Sequence, residues 1–270
     1  MLEQVAAAVS EAGVTRHLER LVRPRDPYDG LAEMEAAADY IADAFRRCGL
    51  SVLEDRFRFQ GGTYRNLVAS LPGTSSDGQV LIVAHYDTVP DCPGADDNAS
   101  GVAGLLEAAK ALAGHRFRRE MILVAFALEE YGYPGSLHYV ERARARGAAI
   151  VGVFDLEMIG YTSPTQAVPP GMRAPAIGNF IGVIGNRRSE HLVSLFKDGV
   201  ARYVPRLPVE ALIVEGNGEA LPVVRRSDHA PFWDAGYPAV MITDTSFLRN
   251  PHYHLPTDTL DTLDLPFLRN

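Results

Sequence analysis

Val80-Leu81-Ile82-Val83-Ala84-His85-Tyr86-Asp87 is the stretch on which the reading of the fold turns. Five apolar residues in succession, with no polar alternation, suit a strand buried on both faces of a mostly parallel sheet. Similar runs recur at 121–127, 149–154 and 239–243, and helical spacing fills 99–113, 135–146 and 189–203 between and around them. Strand, helix, strand, helix is the order of a sheet covered by helices on both faces. The predicted class is α/β, with three α/β/α layers built on a central mixed, mostly parallel sheet.

Outward from that core, residues 1–22 and 31–48 show helical spacing. In the second, Leu31, Met34, Ala38, Ile41, Ala42 and Phe45 share a face and Gly49 supplies the stop. Residues 51–59 and 63–71 alternate around Gly61-Gly62 and predict an antiparallel pair. Residues 72–78 read as a loop. Segments 162–178 and 204–227, rich in Pro, Gly and polar residues, read as excursions of a single domain spanning 1–270.

The chain has 270 residues, 47% of them apolar and 22% charged, which is an ordinary globular balance. A net charge of −8 argues against nucleic acid or an anionic membrane surface as the partner. Cys48 and Cys92 lack the spacing of a zinc knot and read as two reduced thiols. The first seventeen residues carry Glu3 and Glu11 and have neither a basic start nor a long apolar stretch, so no secretory signal is expected and a cytoplasmic location is the default. No run approaches the roughly 18 apolar residues of a membrane span.

Ligands of open α/β sheets collect beyond the carboxyl ends of the strands. His85, Glu129, Glu130 and Glu157 fall there in the sequence, and Asp96-Asp97-Asn98 opens the helix after the first run. With His254 they form an ordered series of carboxylates and imidazoles suited to two metal ions that share one bridging carboxylate and keep a position open for water. Asp87, two residues after His85, shares its face on a strand and can orient the imidazole. Asp97 begins a small-residue helix, Asn98-Ala99-Ser100-Gly101, that lets backbone approach a crowded site. Glu129 and Glu130 would point to opposite sides of an extended segment, one toward metal and one toward water. His254 has Asp258 nearby. Taken singly, Asp-Asp-Asn is an ordinary helix cap and Glu-Glu a solvated pair; their order at strand ends carries the reading. His229, in Ser227-Asp228-His229, reads as a structural or pocket residue. No serine lies in a nucleophile elbow, and no glycine stretch has phosphate-binding spacing.

His85-Tyr86-Asp87, Gly94-Ala95-Asp96-Asp97-Asn98-Ala99-Ser100-Gly101, Leu128-Glu129-Glu130-Tyr131-Gly132, Leu156-Glu157-Met158-Ile159-Gly160, Ser227-Asp228-His229 and Tyr253-His254 together resemble the motif series of the co-catalytic zinc aminopeptidases, over residues 30–262. That family includes glutamate-carboxypeptidase-like and glutaminyl-cyclase-like branches. The resemblance implies a zinc-peptidase-like fold and a peptide or aminoacyl substrate. It further implies two zinc ions, one held by His85 and Glu157, the other by Glu130 and His254, with Asp97 bridging. Glu129 would be the general base, Asp87 would orient His85, Tyr253 would polarise the scissile carbonyl, and Met158 would line the pocket for the N-terminal side chain. The choice of Asp97 over Asp96 rests on the family pattern of an acid directly before Asn. Many members carry Asp where this chain has Glu157 and Asn where it has Asp155, which leaves Asp155 as an alternative ligand. Members usually close with a helix after the last motif, whereas this chain stops at Asn270, so either that helix is expected to be absent or the sequence to be truncated. Alternative activities implied by the branches are deacylase or carboxypeptidase chemistry, glutaminyl cyclisation, or a non-catalytic binding role. His-x-Asp-x-Val-Pro also occurs in the deacylases, but those usually insert a lid domain for which no gap here is long enough.

Overall fold

The structure, a computed structural model, describes residues 2–168 and 173–270. Met1, inside the first expected helix, and residues 169–172, inside the 162–178 segment, lie outside the described residues. The chain begins with α1 (Leu2–Ala8), α2 (Glu11–Leu21) and α3 (Leu31–Arg47). The single helix expected over 1–22 is therefore two: Ser10 adopts an extended conformation and its hydroxyl accepts the Gly13 N–H at 3.1 Å, capping α2. β1 (Ser51–Phe59) and β2 (Gly62–Leu71) then form the expected antiparallel ladder.

The four apolar runs become β3 (Gln79–His85), β4 (Glu120–Phe126), β5 (Ile150–Leu156) and, after β6 (Ile181–Asn186) and β7 (Val209–Val214), β8 (Ala239–Thr243). All eight strands join one sheet in the order β1-β2-β4-β3-β5-β8-β6-β7. The pairs β3–β4, β3–β5, β5–β8 and β6–β7 are parallel, whereas β1–β2, β2–β4 and β6–β8 are antiparallel. Intervening helices are α4 (Gly101–Leu112), α5 (Pro134–Ala145), α6 (Glu190–Tyr203) and the short α7 (His229–Asp234).

Two elements depart from the sequence reading. β7 lies inside the 204–227 segment read as an excursion, and β6 was not anticipated. Ile-Gly-Val-Ile-Gly-Asn breaks its apolar run with two glycines, and β7 is a half-exposed edge carrying Glu210. A helix does follow the last motif, α8 (Leu265–Arg269), five residues long.

Alternation along the central strands makes the three layers. Leu123 and Ala125 of β4 pack with Leu18, Ile41, Phe45 and Leu106 from α2, α3 and α4. Leu81 and Val83 of β3 and Val124 and Phe126 of β4 pack with Tyr139 of α5 and Phe232 and Trp233 of α7. Each large side chain withdrawn from water in this way stabilises the fold by about 1.5–3 kcal/mol. Since α4 and α5 leave β3 and β4 toward opposite faces, the chain reverses its winding beside β3. A crevice opens there, beyond the carboxyl ends of β3, β4 and β5. Among the described residues, no helix is long and apolar enough to cross a membrane.

Candidate metal centre

At the end of β3, buried His85 directs Nε2 to within 3.3 Å of Asp97 Oδ1 and 3.3 Å of Glu157 Oε2. The second oxygen of Asp97, Oδ2, lies 3.1 Å from His254 Nε2, which is also 3.1 Å from Glu130 Oε2. One carboxylate thus faces two imidazole–carboxylate sets, one through each oxygen. Donor atoms about 2.0–2.2 Å from a tetrahedral zinc ion stand about 3.3 Å apart, so each of these imidazole–carboxylate distances has the spacing of two ligands on one ion. Both ring nitrogens of His85, Asp97 Oδ1, Glu130 Oε1 and His254 Nε2 are buried without hydrogen-bond partners. Orphaned polar atoms are costly to keep out of water, and five of them at one place fit a metal-binding role. One donor atom each from His85, Asp97 and Glu130 falls within a 4.8 Å cluster, which draws one residue from each set around Asp97 and shows how near the two sets stand.

The surrounding contacts fix these groups. Asp97 and Asn98 have non-helical dihedrals within the turn Ala95–Ser100, so Asp97 lies in an irregular turn ahead of α4 and does not begin the helix itself. Gly101 starts α4 where a Cβ would stand 2.3 Å from Asn98 Oδ1 and 2.4 Å from the Leu156 carbonyl oxygen. The Asn98 amide donates to that same carbonyl at 2.8 Å, tying the Asp97 turn to the end of β5. Asp258, expected beside His254, instead accepts the backbone N–H groups of Asp96 and Asp97 at 3.0 and 3.1 Å. Asp96 turns away from the imidazoles, accepting from Gly160 N–H at 2.9 Å and the Asn250 amide at 2.7 Å.

Glu129 and Glu130 are not extended. Leu128 adopts a left-handed conformation (φ 65°) and starts a single 3₁₀ turn, so both carboxylates line the same cleft. Asp87 Oδ1 stands 3.6 Å from His85 Nδ1, beyond hydrogen-bond reach. Its oxygens accept the N–H groups of Glu129 and Glu130 at 3.0 and 3.2 Å, so Asp87 positions the Glu-Glu turn as well as facing the ring. Left-handed φ values recur at Met158 (48°) and His254 (59°). Such non-glycine conformations cost about 1–3 kcal/mol each and gather at functional sites.

Other expectations need correction. Asp155 is fully buried, and its Oδ2 accepts from His229 N–H at 2.9 Å and faces His229 Nδ1 at 3.2 Å, away from Asp97. Met158 is fully buried and does not line the cleft; Met241, with Ile184, Val223 and Phe247, forms the apolar wall. Tyr253 does line it, stacked on His254 with ring centroids 3.7 Å apart. Two further side chains hold the site together. Ser227 Oγ donates to Glu157 Oε2 at 2.7 Å. Arg25, 1% exposed, donates to the carbonyls of Tyr86, Pro93 and Gly94 at 2.7, 2.8 and 3.1 Å, binding the His85 and Asp97 segments together. Neither belongs to a motif with its partner, so spacing gave no signal.

Burial and the mutual charges of the cluster shift its groups in opposite directions. Burial first, then the neighbouring Asp97 charge, raises Glu130 to about 8 and Glu157 to about 7. Burial alone would lower His254, but Asp97 and Glu130 overcome it and raise the ring to about 10. Burial likewise opposes the rise at His85, where Glu157 and Glu129 prevail. Asp97, despite burial, is held low by the two imidazoles. Burial, reinforced by Glu130 and Glu157, pushes Glu129 well above the carboxylate range. Divalent cations would replace these shared protons.

The eight-stranded mixed sheet with its flanking helices is the fold of the zinc aminopeptidase structures. The chain belongs to peptidase family M28, whose sequence profile matches residues 66–270. It is 36% identical over 268 residues to the uncharacterized protein YfbL of Escherichia coli, covering 92% of this chain and 80% of that one. Other curated relatives, several named as zinc metalloproteases or aminopeptidases, are longer; the chain spans between 36% and 52% of their length. Among solved structures, the LapA aminopeptidase of Legionella pneumophila matches with a TM-score of 0.77 at 20% identity, covering 99% of this chain and 70% of LapA. The glutaminyl cyclase of Porphyromonas gingivalis matches with a TM-score of 0.72 at 21% identity, covering 98% and 93%. At these identities the two structures share the fold, which serves more than one chemistry.

Proposed function

We propose that the protein is a metal-dependent aminopeptidase that hydrolyses N-terminal peptide bonds. The observation that carries this reading is the Asp97 carboxylate, with one oxygen against His85, which also meets Glu157, and the other against His254, which also meets Glu130. His85, Glu157 and Asp97 would hold one zinc ion, and His254, Glu130 and Asp97 the other. Zinc held there would supply an acidified water and Lewis-acid polarisation of an amide carbonyl. Support for the aminopeptidase form comes from the names of several relatives and from an apolar wall beside the cluster that suits an N-terminal side chain.

Each remaining step is assigned to a side chain. Glu129, with Oε2 4.0 Å from His85 Nε2, takes the proton of the attacking water and passes it to the leaving amine. Burial raises the Tyr253 phenol, so it keeps its proton at neutral pH and donates a hydrogen bond to the developing oxyanion. Ser227 and Asp87 keep Glu157 and the Glu-Glu turn in place. The test is Glu129→Gln. The variant should bind as much zinc as the parent while turnover of leucine amide falls by about a hundredfold or more. Undiminished turnover would remove Glu129 from the role of base.

A further inference from the structure

Arg226 is the single basic side chain among the described residues lining the cleft above Asp97, Glu129, Glu130 and Glu157. Its neighbour Arg225 is committed elsewhere, donating to Asp234 Oδ2 at 2.7 Å and to the Asn217 carbonyl at 2.7 Å. Arg226 is exposed and, among the described residues, has no carboxylate within 4.0 Å. Its guanidinium instead lies over the Phe247 ring, 5.1 Å from the centroid. Phe247 packs against Tyr253 at 5.6 Å, and Tyr253 stacks on His254 at 3.7 Å. An unbroken wall of rings therefore leads from this guanidinium to an imidazole of the metal cluster. Extended peptide advances about 3.3–3.6 Å per residue, so two to four residues, roughly, span that wall. A guanidinium held over a ring by cation–π attraction has its N–H groups left to donate, and their fork matches the two oxygens of a carboxylate.

We propose that Arg226 is a specificity residue that receives a carboxylate of the bound peptide, selecting short free-acid or acidic peptides over neutral ones. The proposal rests on the peptidase reading above for the identity of the substrate. The carboxylate has two possible sources, the C-terminus of a tripeptide or an acidic side chain beyond the scissile bond. Three probes separate them: Leu-Gly-Gly, its C-terminal amide, and Leu-Glu-Gly amide.

The deciding experiment measures binding of the three peptides by calorimetry to the zinc-loaded Glu129→Gln chain and to the same chain carrying Arg226→Gln as well. One carboxylate peptide should bind about tenfold or more tightly than the neutral amide, and the second substitution should abolish that difference. Arg226→Lys should restore part of it, since a point charge attracts a carboxylate without the fork. Preference for Leu-Gly-Gly identifies the terminal carboxylate, and preference for Leu-Glu-Gly amide the side chain. Equal binding of all three peptides, or a preference that survives Arg226→Gln, overturns the proposal. If the wild-type chain hydrolyses none of them while the Arg226-dependent preference persists, the carboxylate subsite stands and the peptidase reading fails.

Discussion

Ser227→Ala removes one hydroxyl and should weaken one of two metal positions selectively. The Ser227 hydroxyl donates to Glu157 Oε2 at 2.7 Å, and both residues are buried. A hydrogen bond to a charged group contributes about 1.5–3 kcal/mol, and its partner here is the carboxylate assigned to the His85 position. At tenfold per 1.4 kcal/mol, roughly, that corresponds to about ten- to hundredfold weaker zinc binding there, the range seen when partners of metal ligands are removed. The Glu130 and His254 set makes no contact with Ser227 and should keep its affinity. Competition with a chromophoric chelator, followed as zinc is added, resolves the two steps. Denaturant unfolding of both metal-free chains shows how much of the change is lost stability. The reasoning is refuted if both steps weaken equally, or if neither does.

Two further outcomes follow from the buried charges. Arg25→Met strands the carbonyls of Tyr86, Pro93 and Gly94 and should lower the unfolding free energy by about 3–5 kcal/mol in urea titration; a loss under about 1 kcal/mol would show that water replaces the guanidinium. The second concerns pH. With Glu130 raised to about 8 and Glu157 to about 7 from an ordinary 4.5, the folded metal-free chain binds more protons than the unfolded one across that interval. Its stability should therefore fall as pH rises from about 4.5 to 8. His254 acts in the same direction, its contribution present below 6.5 and lost as pH rises through about 10. Zinc, which takes the place of these protons, should raise the melting temperature more at pH 8 than at pH 5.5, and the opposite trend would contradict the shared-proton cluster.

Much of the site was legible because strand ends and sites coincide in this fold. His85, Glu129, Glu130 and Glu157 each follow a buried strand, and a sheet brings such ends together wherever its strands are parallel neighbours. The motif series supplied Asp97 and His254. Periodicity could not supply partners that depend on a particular side-chain direction. Asp155 and Glu157 are two residues apart, yet one faces His229 and the other His85. The left-handed turn at Leu128, which brings both glutamates to one cleft, breaks the alternation on which an extended reading depends. β6 lacks a strand-like pattern for a packing reason. Gly185 lies so close under α6 that a Cβ would meet Val193 Cγ2 at 2.8 Å, so the strand carries glycine where a sequence pattern expects valine or isoleucine. Ser227 and Arg25 act across 70 and 61 positions of chain, on Glu157 and Tyr86.

The central claim is that one carboxylate, Asp97, joins two metal positions. Elemental analysis of the chain after zinc loading and exhaustive dialysis, beside the Glu130→Ala variant, tests it most directly. The account predicts two zinc ions per wild-type chain and one per variant chain, the ion at His85, Glu157 and Asp97 remaining. A single ion in the wild-type chain, or none after loading, would contradict it.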